Sequence, residues 1–382
     1  MIRFPRVRIL EYLVLGHGPM WIDYYATALA PLCRELTVCF PDHPAYRSLE
    51  PAAKRWASGG ALDVRIEPIP VHEEMKRIDY DEAIARACAP RVDLSFITYL
   101  DQLMLRPTKL PASLGAERPA LWGTWFSPAD PAQRLSRIVR RTISKRAREE
   151  RDAIRMQKNP PAWLDGAFFL DPLIAERVNL AGAKRILPDP WPTRPRQSQR
   201  EARDALRLPH DAKLFFHFGV EHKRKGLDDA IAAWSKLPED AVLLRAGLLR
   251  EEQKPAIQAL ERVGRAIVHD RLVPDEEVDL YYRAADWILL PYRRHEGSSG
   301  ILSAAAAAQR PVIAADYGVV GRRVRAEALG VLHAQASARS LAAAVRRALE
   351  QPIGRYAAAL DAFAEAHTLP AFYEALRAAW RE

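Results

Sequence analysis

Two serines and a glycine lie between two apolar runs, in an order typical of an anion-binding loop. The runs Trp287–Leu290 and Val312–Ala315 predict buried parallel strands. Ser298, Ser299 and Gly300 lie between them and lead into a predicted helix. Because the first N–H groups of a helix have no partner within it, this loop can direct them at a phosphate. An ordinary strand-helix-strand unit with a tight turn is the alternative interpretation.

A basic cluster lies in the same half of the chain. Lys223, Arg224 and Lys225 are bracketed by Gly219 and Gly226. Glycine allows the backbone turns that a ligand loop needs, and a lysine ammonium binds phosphate as a point charge. The alternative is a group of solvated surface side chains. We favour a phosphate contact for Lys225, because the two glycines bracket it.

The length and charge of the chain limit the possible classes of protein. A chain of 382 residues is long enough for two domains. Its content of 49% hydrophobic and 27% charged residues is that of a soluble globular protein, which excludes disordered and collagen-like classes. The net charge of +9 favours anionic partners, namely nucleotide diphosphates, acidic lipid surfaces or nucleic acid.

The first residues of the chain predict a strand rather than a signal peptide. Glu11 interrupts the apolar run, and no small-residue cleavage site follows. We find no segment that is apolar over the length required to span a bilayer. Cys33, Cys39 and Cys88 lack metal-ligand spacing and are odd in number, so we expect reduced thiols in the cytoplasm.

Strands and helices alternate along the chain, which predicts doubly wound parallel sheets. In the first half we predict strands at residues 7–15, 37–40, 64–69, 94–98, 120–126, 167–170 and 185–187, and helices at 21–36 and 80–88. A segment rich in proline and polar residues, 188–204, predicts a linker. In the second half we predict strands at residues 214–218, 241–246, 266–268, 287–290 and 312–315, and a last amphipathic helix at 370–380.

These elements predict an α/β protein with two Rossmann-like domains of doubly wound parallel sheet that face a central cleft. We place the domains at residues 1–190 and 191–366, with a C-terminal helix at 367–382 for which a return to the N-terminal domain is one option. Ligands of open parallel sheets bind at the carboxyl ends of the strands. We therefore expect the site in the strand-to-helix loops.

The second half resembles the donor domain of retaining nucleotide-sugar glycosyltransferases of the GT-B fold, family 4, from about Lys213 to Leu349. Residues 215–234 resemble the family's opening strand, glycine and Lys-Gly element, and residues 273–292 resemble its acidic helix followed by alanine, aspartate and a strand. Glu296, counted back from Pro311, falls on the first glutamate of the Glu-x7-Glu signature. The resemblance implies an acceptor domain at 1–190 and a donor domain at 191–366.

The resemblance also implies residue roles. Lys225 would contact the donor diphosphate, and Glu296 would contact hydroxyls of the donor sugar or stabilise positive charge on its anomeric carbon. For Glu296 the alternative is a loop glutamate paired with a neighbouring basic side chain, Arg293, Arg294 or His295. The predicted donor-binding residues are Gly219, Lys223, Arg224, Lys225, Ser299, Gly300, Ile301 and Leu302.

The sequence departs from the family pattern at three positions. Val220 stands where many members have an arginine at the diphosphate, and Lys223 and Arg224 are candidates to replace it. Ala304 stands where a second glutamate would bind the ribose. Trp125 occupies the region in which members usually have a histidine, which leaves the acceptor side unassigned.

Two residues of the first half are candidates for the acceptor side. His17 lies between two glycines at the end of the first predicted strand, where it would contact acceptor or phosphate; a simple turn residue is the alternative. Asp101 follows the fourth predicted strand and is a third candidate catalytic residue beside Glu296 and Lys225, acting on an acceptor hydroxyl or the transferred sugar; a helix N-cap is the alternative.

The basic stretch at residues 134–158 has apolar side chains at helical spacing. We favour a surface helix of the first domain, and peripheral contact with an anionic membrane is the alternative. Nucleic acid is not expected as a partner, because aromatic residues are not interleaved with the charges.

Taken as a resemblance, these features imply a retaining, hexosyltransferase-like enzyme of polysaccharide biosynthesis, cytoplasmic or peripheral at the inner face of the membrane. It would move a sugar from a nucleotide diphosphate sugar to a glycan or lipid-linked acceptor, with no cofactor and no metal. The alternatives are a catalytically silent GT-B nucleotide-sugar-binding subunit and a GT-B-type sugar-nucleotide epimerase.

Overall fold

The computed structural model describes residues 2–14, 17–58, 62–71, 77–103, 118–127, 158, 160, 163–192 and 197–381. The chain divides into two compact units. The first comprises Met1–Pro188 and Pro370–Glu382, and the second comprises Asp189–Leu369. Each unit contains one β-sheet whose strands alternate with helices along the chain.

The first unit is built on a seven-stranded sheet. Its strands are β1 (Arg6–Leu10), β2 (Glu35–Pro41), β3 (Asp63–Ile69), β4 (Leu94–Ile97), β5 (Ala120–Trp125), β6 (Gly166–Phe169) and β7 (Ala183–Ile186). Their order is β3-β2-β1-β4-β5-β6-β7, and every neighbouring pair is parallel. Helices in the described part of this unit are α1 (Gly18–Leu29), α2 (Leu49–Ala57), α3 (Tyr80–Ala87), α4 (Leu100–Leu103) and α5 (Pro172–Arg177).

The second unit is built on a six-stranded sheet. Its strands are β8 (Lys213–Phe218), β9 (Ala241–Ala246), β10 (Ala266–His269), β11 (Trp287–Leu290), β12 (Val312–Ala315) and β13 (Gly330–His333). Their order is β10-β9-β8-β11-β12-β13, and every neighbouring pair is parallel. Its helices are α6 (Gln199–Leu206), α7 (Leu227–Trp234), α8 (Lys254–Arg262), α9 (Asp275–Ala284), α10 (Gly300–Ala307), α11 (Gly318–Ala326), α12 (Ala338–Leu349) and α13 (Ala357–Ala366).

The prediction of two α/β units with parallel sheets is confirmed. The core strands show why the sequence pattern was sufficient for this prediction. Strands β9, β11 and β12 are buried at every position, because helices cover both faces of a parallel sheet. Their sequences are accordingly continuous apolar runs, broken only by Arg245 in β9. Strand β13 was not predicted, since its burial alternates and it spans four residues.

The first strand is shorter than predicted. We expected it to reach residue 15, but β1 ends at Leu10. Beyond that point the buried Glu11 carboxylate accepts hydrogen bonds from Leu13 N (2.8 Å) and Thr98 Oγ1 (2.8 Å). The chain therefore turns out of the sheet, and Leu13 forms an isolated antiparallel bridge with Arg77.

Two further boundaries differ from the sequence prediction. The first helix ends at Leu29 rather than residue 36, and a 3-10 turn, Ala30–Leu32, follows it. In the predicted linker, α6 begins at Gln199 and overlaps the segment we expected to be irregular. Ser198 and Glu201 cap that helix reciprocally, Ser198 Oγ at the Glu201 N–H and the Glu201 carboxylate at the Ser198 N–H.

Each sheet reverses its strand order at one point. In the first sheet the reversal lies between β1 and β4, and in the second it lies between β8 and β11. Loops that leave two such strands diverge to opposite sides of the sheet and leave a crevice, in which open α/β sheets bind their ligands. The loops after β8 and β11 contain the predicted phosphate-binding residues.

The last helix, α14 (Leu369–Ala378), lies almost wholly in the segment that belongs to the first unit. Its apolar face is buried there: the Phe372 ring packs against Trp21 and Tyr25, and Leu376 is fully buried. Arg377 Nε donates to the Ala28 carbonyl oxygen at the end of α1 (2.9 Å).

The predicted basic helix at residues 134–158 falls outside the described residues, except for Lys158. Within the described ranges, the helices are all too short or too polar to cross a membrane.

Candidate functional site

The loop after β8 makes two tight turns at glycine residues. Gly219 has a φ of +105°, and a β-carbon there would lie 2.4 Å from Lys225 Nζ. Gly226 has a φ of +74°, and a β-carbon there would lie 1.9 Å from the Pro291 carbonyl oxygen. Both positions therefore need glycine for their backbone conformation, and Gly226 also needs it for space, because its close neighbour is a backbone oxygen. The two glycines that bracket the basic cluster in the sequence are thus explained by the turns of this loop.

Lys225 is half-buried at the centre of this loop. Its ammonium donates to the Phe218 carbonyl oxygen at the end of β8 (2.7 Å). Burial, together with the nearby Arg245 guanidinium, lowers the pKa of Lys225 to about 8. An anion next to this ammonium would favour its charged form, so a bound phosphate would raise the pKa of Lys225 again. The other two basic residues, Lys223 and Arg224, are exposed.

Residues of the loop after β11 lie against the Lys225 loop. The Arg293 N–H donates to the Arg224 carbonyl oxygen (2.8 Å), and the Arg224 guanidinium donates to His295 Nδ1 (2.6 Å). Burial lowers the pKa of His295 to about 4, so the ring is neutral and its Nε2 donates to the Ser298 carbonyl oxygen (2.9 Å). These contacts bring the basic cluster and the Ser-Ser-Gly loop into one site.

Helix α10 begins at this site. Ser299 is its N-cap residue, but its side chain makes no capping bond and instead lies 3.2 Å from the Tyr292 hydroxyl. Ile301 is half-buried and Gly300 lies at the first helical position. Leu302, which we predicted among the donor-binding residues, is 1% exposed, and its N–H already donates to the Ser299 carbonyl oxygen (2.9 Å). Backbone donors at Gly300 and Ile301 remain the candidates for an anion.

A carboxylate that the sequence did not indicate lies at the same helix end. Asp189 is buried, and Ser298 Oγ donates to its Oδ2 (3.0 Å) while Ser303 Oγ donates to its main-chain oxygen (2.6 Å). Its Oδ1 lies 3.7 Å from a β-carbon placed on Gly300. Burial raises the pKa of Asp189. The sequence shows only an aspartate between prolines, so this position had no detectable signal.

Glu296 is half-buried in the loop after β11, against the start of α11. Its carbonyl oxygen accepts from the Val319 N–H (3.4 Å), and the neighbouring His295 oxygen lies 2.2 Å from a β-carbon placed on Gly318. Two of the basic partners that we considered for its side chain are bonded elsewhere. Arg293 forms an ion pair with Asp229, and both ring nitrogens of His295 have other partners.

Two of the three positions that depart from the family pattern, Val220 and Ala304, have different surroundings. Val220 is 55% exposed at the turn after β8, so a valine there leaves an apolar surface beside the basic cluster. Ala304 is completely buried in the hydrophobic core of the second unit. A long acidic side chain would not fit at this position without repacking of that core.

The acceptor-side candidates lie in the first unit, at the carboxyl ends of β1 and β4. His17 is exposed and is the N-cap residue of α1, with no capping bond from its side chain. Asp101 is buried inside the first turn of α4 rather than at its N-cap, and its Oδ1 accepts from the Phe126 N–H (3.4 Å). Trp125 is buried, and its Nε1 donates to the Ser127 carbonyl oxygen (3.1 Å).

Glu11 is a buried titratable group that the sequence analysis used only as an interruption of an apolar run. Burial is the main cause that raises its pKa to about 7, against hydrogen bonds from the Leu13 N–H and the Thr98 hydroxyl. Nearby, the Tyr12 hydroxyl donates to the Tyr99 carbonyl oxygen (2.7 Å). These bonds join the chain after β1 to the chain after β4.

Within the described residues, no group of three or more His, Cys, Asp and Glu side chains is arranged to hold a metal ion.

One segment of the chain, which contains the predicted donor-binding residues, is similar to a known domain family. Residues 198–366 match the sequence model of a family described as Glycosyl transferases group 1. None of the curated proteins matches the chain in sequence. The matched segment contains every site residue of the second unit described above except Asp189.

Several solved structures are similar over nearly the whole chain. HepE of Anabaena in complex with UDP has a TM-score of 0.69 at 12% identity, covering 98% of this chain and 99% of HepE. The sucrose-phosphate synthase of Thermosynechococcus elongatus has a TM-score of 0.67 at 17% identity, covering 99% and 98%. WaaG, a glycosyltransferase involved in lipopolysaccharide biosynthesis, has a TM-score of 0.65 at 16% identity, covering 96% and 97%.

These likenesses confirm the GT-B fold that the sequence predicted. At such identities they concern the fold alone, so the activity of this protein must be argued from its own residues.

Proposed function

We propose that the protein is a glycosyltransferase whose donor, a nucleotide diphosphate sugar, binds in the second unit. The observation that carries this proposal is the contact between Gly226 and Pro291, which brings Lys225 and the N-terminus of α10 to the point where the second sheet reverses its strand order. A half-buried ammonium and a helix N-terminus together favour a diphosphate. The complexes of HepE with UDP and with UDP-glucose support a nucleotide-sugar donor.

The proposed chemistry is departure of the nucleoside diphosphate. The bond between the anomeric carbon and the diphosphate oxygen breaks, and its electron pair stays on that oxygen. Lys225, Arg224 and the first N–H groups of α10 stabilise this charge, with Lys223 at the edge of the site. The acceptor oxygen bonds to the same carbon and loses its proton, so the products are a glycoside, a nucleoside diphosphate and a proton.

Three finer features belong to the same proposal. The reaction retains the anomeric configuration. It needs no metal, because Lys225 and the backbone dipoles stabilise the charge on the diphosphate. Glu296 acts on the sugar. The acceptor is a glycan or a lipid-linked glycan that binds in the first unit, near His17 and Asp101. The net charge of +9 supports an enzyme that works in the cytoplasm beside an anionic membrane surface.

A direct test begins with the donor. Purified protein is screened by thermal shift against UDP, GDP and ADP, since a ligand of the native state raises its melting temperature. We expect one nucleoside diphosphate to stabilise the protein and the matching nucleotide sugars to be cleaved, with chelator present. Lys225→Ala should weaken binding by about tenfold or more, because a charge-assisted hydrogen bond contributes about 1.5 to 3 kcal/mol.

Lys213→Ala is the matched control, because Lys213 is exposed at the opposite end of β8. It should bind the nucleoside diphosphate as the wild type does. The anomeric configuration of the product, read by NMR, tests retention. If no nucleoside diphosphate stabilises the protein, or if Lys225→Ala binds like the control, the donor site is not here.

A second candidate is a subunit that binds nucleotide sugars without catalysis. The burial of Ala304 in the core favours it, because no carboxylate can be restored at this place without repacking. Such a protein would bind the nucleotide sugar but leave it intact, with and without acceptors. Slow cleavage of the donor by the wild type, absent in Glu296→Gln, would exclude it.

A further inference from the structure

An arginine lies in the middle of an otherwise apolar buried strand. Arg245 is on β9, beside β8, and its side chain is completely buried. A buried guanidinium has a high desolvation cost unless its N–H groups are bonded. Neither the family likeness nor the sequence pattern required a charged residue at this position.

The guanidinium bonds to two loops at once. It donates to the Ala246 carbonyl oxygen through Nη1, and through Nη2 to the carbonyl oxygens of Gly219 (2.5 Å) and Leu248 (3.2 Å). Gly219 and Gly247 are the left-handed turns after β8 and β9, with φ of +105° and +114°. A β-carbon on Gly247 would lie 3.0 Å from Arg245 Nη1 and 2.5 Å from the Gly219 oxygen. Arg245 therefore fixes the two turns against each other.

These turns carry the phosphate-binding lysine. A β-carbon on Gly219 would touch Lys225 Nζ, so the ammonium packs directly against the backbone turn that Arg245 holds. His217, on β8, donates from Nε2 to the Lys225 carbonyl oxygen (3.1 Å) and fixes the other side of the loop. Burial keeps the pKa of His217 well below its usual range, so this ring is neutral.

Arg245 is also one of the charged groups that shift the pKa of Lys225. The titratable or charged groups close to Lys225 are Arg245, Glu221 and Arg224, together with the neutral His217 and His295. Glu221 is buried 3.8 Å from the Arg245 guanidinium, which it partly neutralises. Arg245 lowers the pKa of Lys225, whereas Glu221 raises it.

We propose that Arg245 is a positioning residue of the phosphate site, which holds the glycine turns beneath Lys225 and acts on that ammonium as a fixed neighbouring cation. The inference rests on the proposed function, since it assigns a second role at the same site. Its consequence is a pH dependence of diphosphate binding that Arg245 controls. Affinity should be constant while Lys225 is protonated and should fall as the pH rises through the pKa of Lys225, about 8.

The test is calorimetric titration with UDP from about pH 7.5 to about pH 9, a range above the second ionisation of the diphosphate and below the ionisation of the uracil N3–H. Burial lowers the pKa of Arg245 to about 10, so the guanidinium stays charged over this range. Arg245→Met should weaken UDP binding at about pH 7.5 by about tenfold, because the loop carbonyls lose a charged donor. In this variant the fall in affinity should move to higher pH.

Two more variants separate charge from position. Arg245→Lys keeps the cation but loses the planar fork, so binding should be weaker while the fall in affinity stays at the wild-type pH. Glu221→Gln removes the charge that raises the pKa of Lys225, so the fall should move to lower pH. If Arg245→Met does not fold, Arg245→Gln takes its place, because the amide can still donate to a loop carbonyl oxygen but carries no charge. A purely structural Arg245 predicts no shift of the fall in this variant, whereas our proposal predicts a shift to higher pH.

Arg265 offers a matched control. Its guanidinium also donates to two carbonyl oxygens, those of Trp234 (3.0 Å) and Leu237 (3.0 Å), away from Lys225. Arg265→Met should lower stability without changing UDP affinity or its pH dependence. If wild type binds UDP with the expected fall and both Arg245→Met and Glu221→Gln keep its midpoint, the inference is wrong and the proposed function stands. Failure of the wild type to bind any of UDP, GDP and ADP overturns both. If GDP or ADP binds in place of UDP, the same titrations are made with that nucleotide.

Discussion

A β-carbon on Gly226 would lie 1.9 Å from the carbonyl oxygen of Pro291, which is far inside contact distance. This approach joins the loop after β8 to the loop after β11, and so it assembles the candidate donor site. Gly226→Ala should therefore force the two loops apart. We expect a loss of more than about 2 kcal/mol in the free energy of unfolding, from the left-handed backbone and the clash together, and strongly reduced UDP affinity.

Gly264 separates these two causes. It has a similar φ of +70°, but a β-carbon there would meet nothing within 4 Å. Gly264→Ala should cost about 1 kcal/mol from the backbone conformation alone and should leave UDP affinity unchanged. Urea unfolding and calorimetry measure both quantities. Equal losses in the two alanine variants would contradict a close contact between the loops.

Gly300→Val tests the start of α10 as an anion site. A β-carbon on Gly300 would meet only Asp189 Oδ1, at an ordinary 3.7 Å, so the substitution fits the protein but obstructs a ligand that approaches the backbone. We expect the melting temperature to stay within a few degrees of wild type and UDP binding to be lost. Ser298→Ala, in the same loop, should change affinity much less. Normal binding by Gly300→Val would place the phosphates elsewhere.

Asp189→Asn tests the carboxylate beside the same helix end. The asparagine keeps an oxygen for the Ser298 hydroxyl and the main-chain bond to Ser303, but it removes a buried negative charge near the phosphates. UDP should bind more tightly, on the order of tenfold at pH 7. Asp361→Asn, an exposed site in the same unit, controls for net charge. Weaker binding in Asp189→Asn would instead assign its carboxylate to a hydroxyl of the ligand.

The raised pKa of Glu11 predicts that the stability of the folded protein depends on pH. This pKa is raised from 4.5 to about 7, so the folded protein retains a proton that the unfolded chain has lost over this range. The stability of the wild type should therefore fall as the pH rises from about 4.5 to about 7, by at most on the order of 3 kcal/mol. In Glu11→Gln this fall should be absent, since the amide can accept from Leu13 and donate to Thr98.

Glu50→Gln is the control for this prediction, because Glu50 is exposed on α2. It should show the wild-type dependence on pH. Urea unfolding at several pH values measures the difference. If Glu11→Gln and wild type have parallel stability curves, Glu11 does not titrate in this range.

The sequence was sufficient for the features that depend on local pattern. β9, β11 and β12 have the bounds we predicted, because each is an apolar run that ends at a proline, a glycine or an acidic residue. The parallel sheets followed from the alternation of strands and helices. Gly219 and Gly226 were correctly recognised as turn residues, since both have a positive φ.

The remaining features depend on contacts between distant parts of the chain. Asp189 reaches α10 from a position 109 residues before Ser298, and Glu11 meets Thr98 across 87 residues. The end of β1 follows from the second of these contacts. Arg245 is part of a strand, where periodicity predicts burial but cannot say which carbonyl oxygens will surround the charge. Such groups become visible only when the fold brings their partners together.

Glu296→Gln separates chemistry from binding. Glu296 lies in the loop after β11, against the start of α11, and under the proposed function it acts on the sugar rather than on the nucleotide. Turnover of the nucleotide sugar should fall by a factor on the order of a hundred, because the amide cannot stabilise developing positive charge. Affinity for the free nucleoside diphosphate should barely change, which steady-state kinetics and calorimetry measure side by side. Loss of nucleotide affinity would place Glu296 on the ribose, and full turnover would leave it without a role in the reaction.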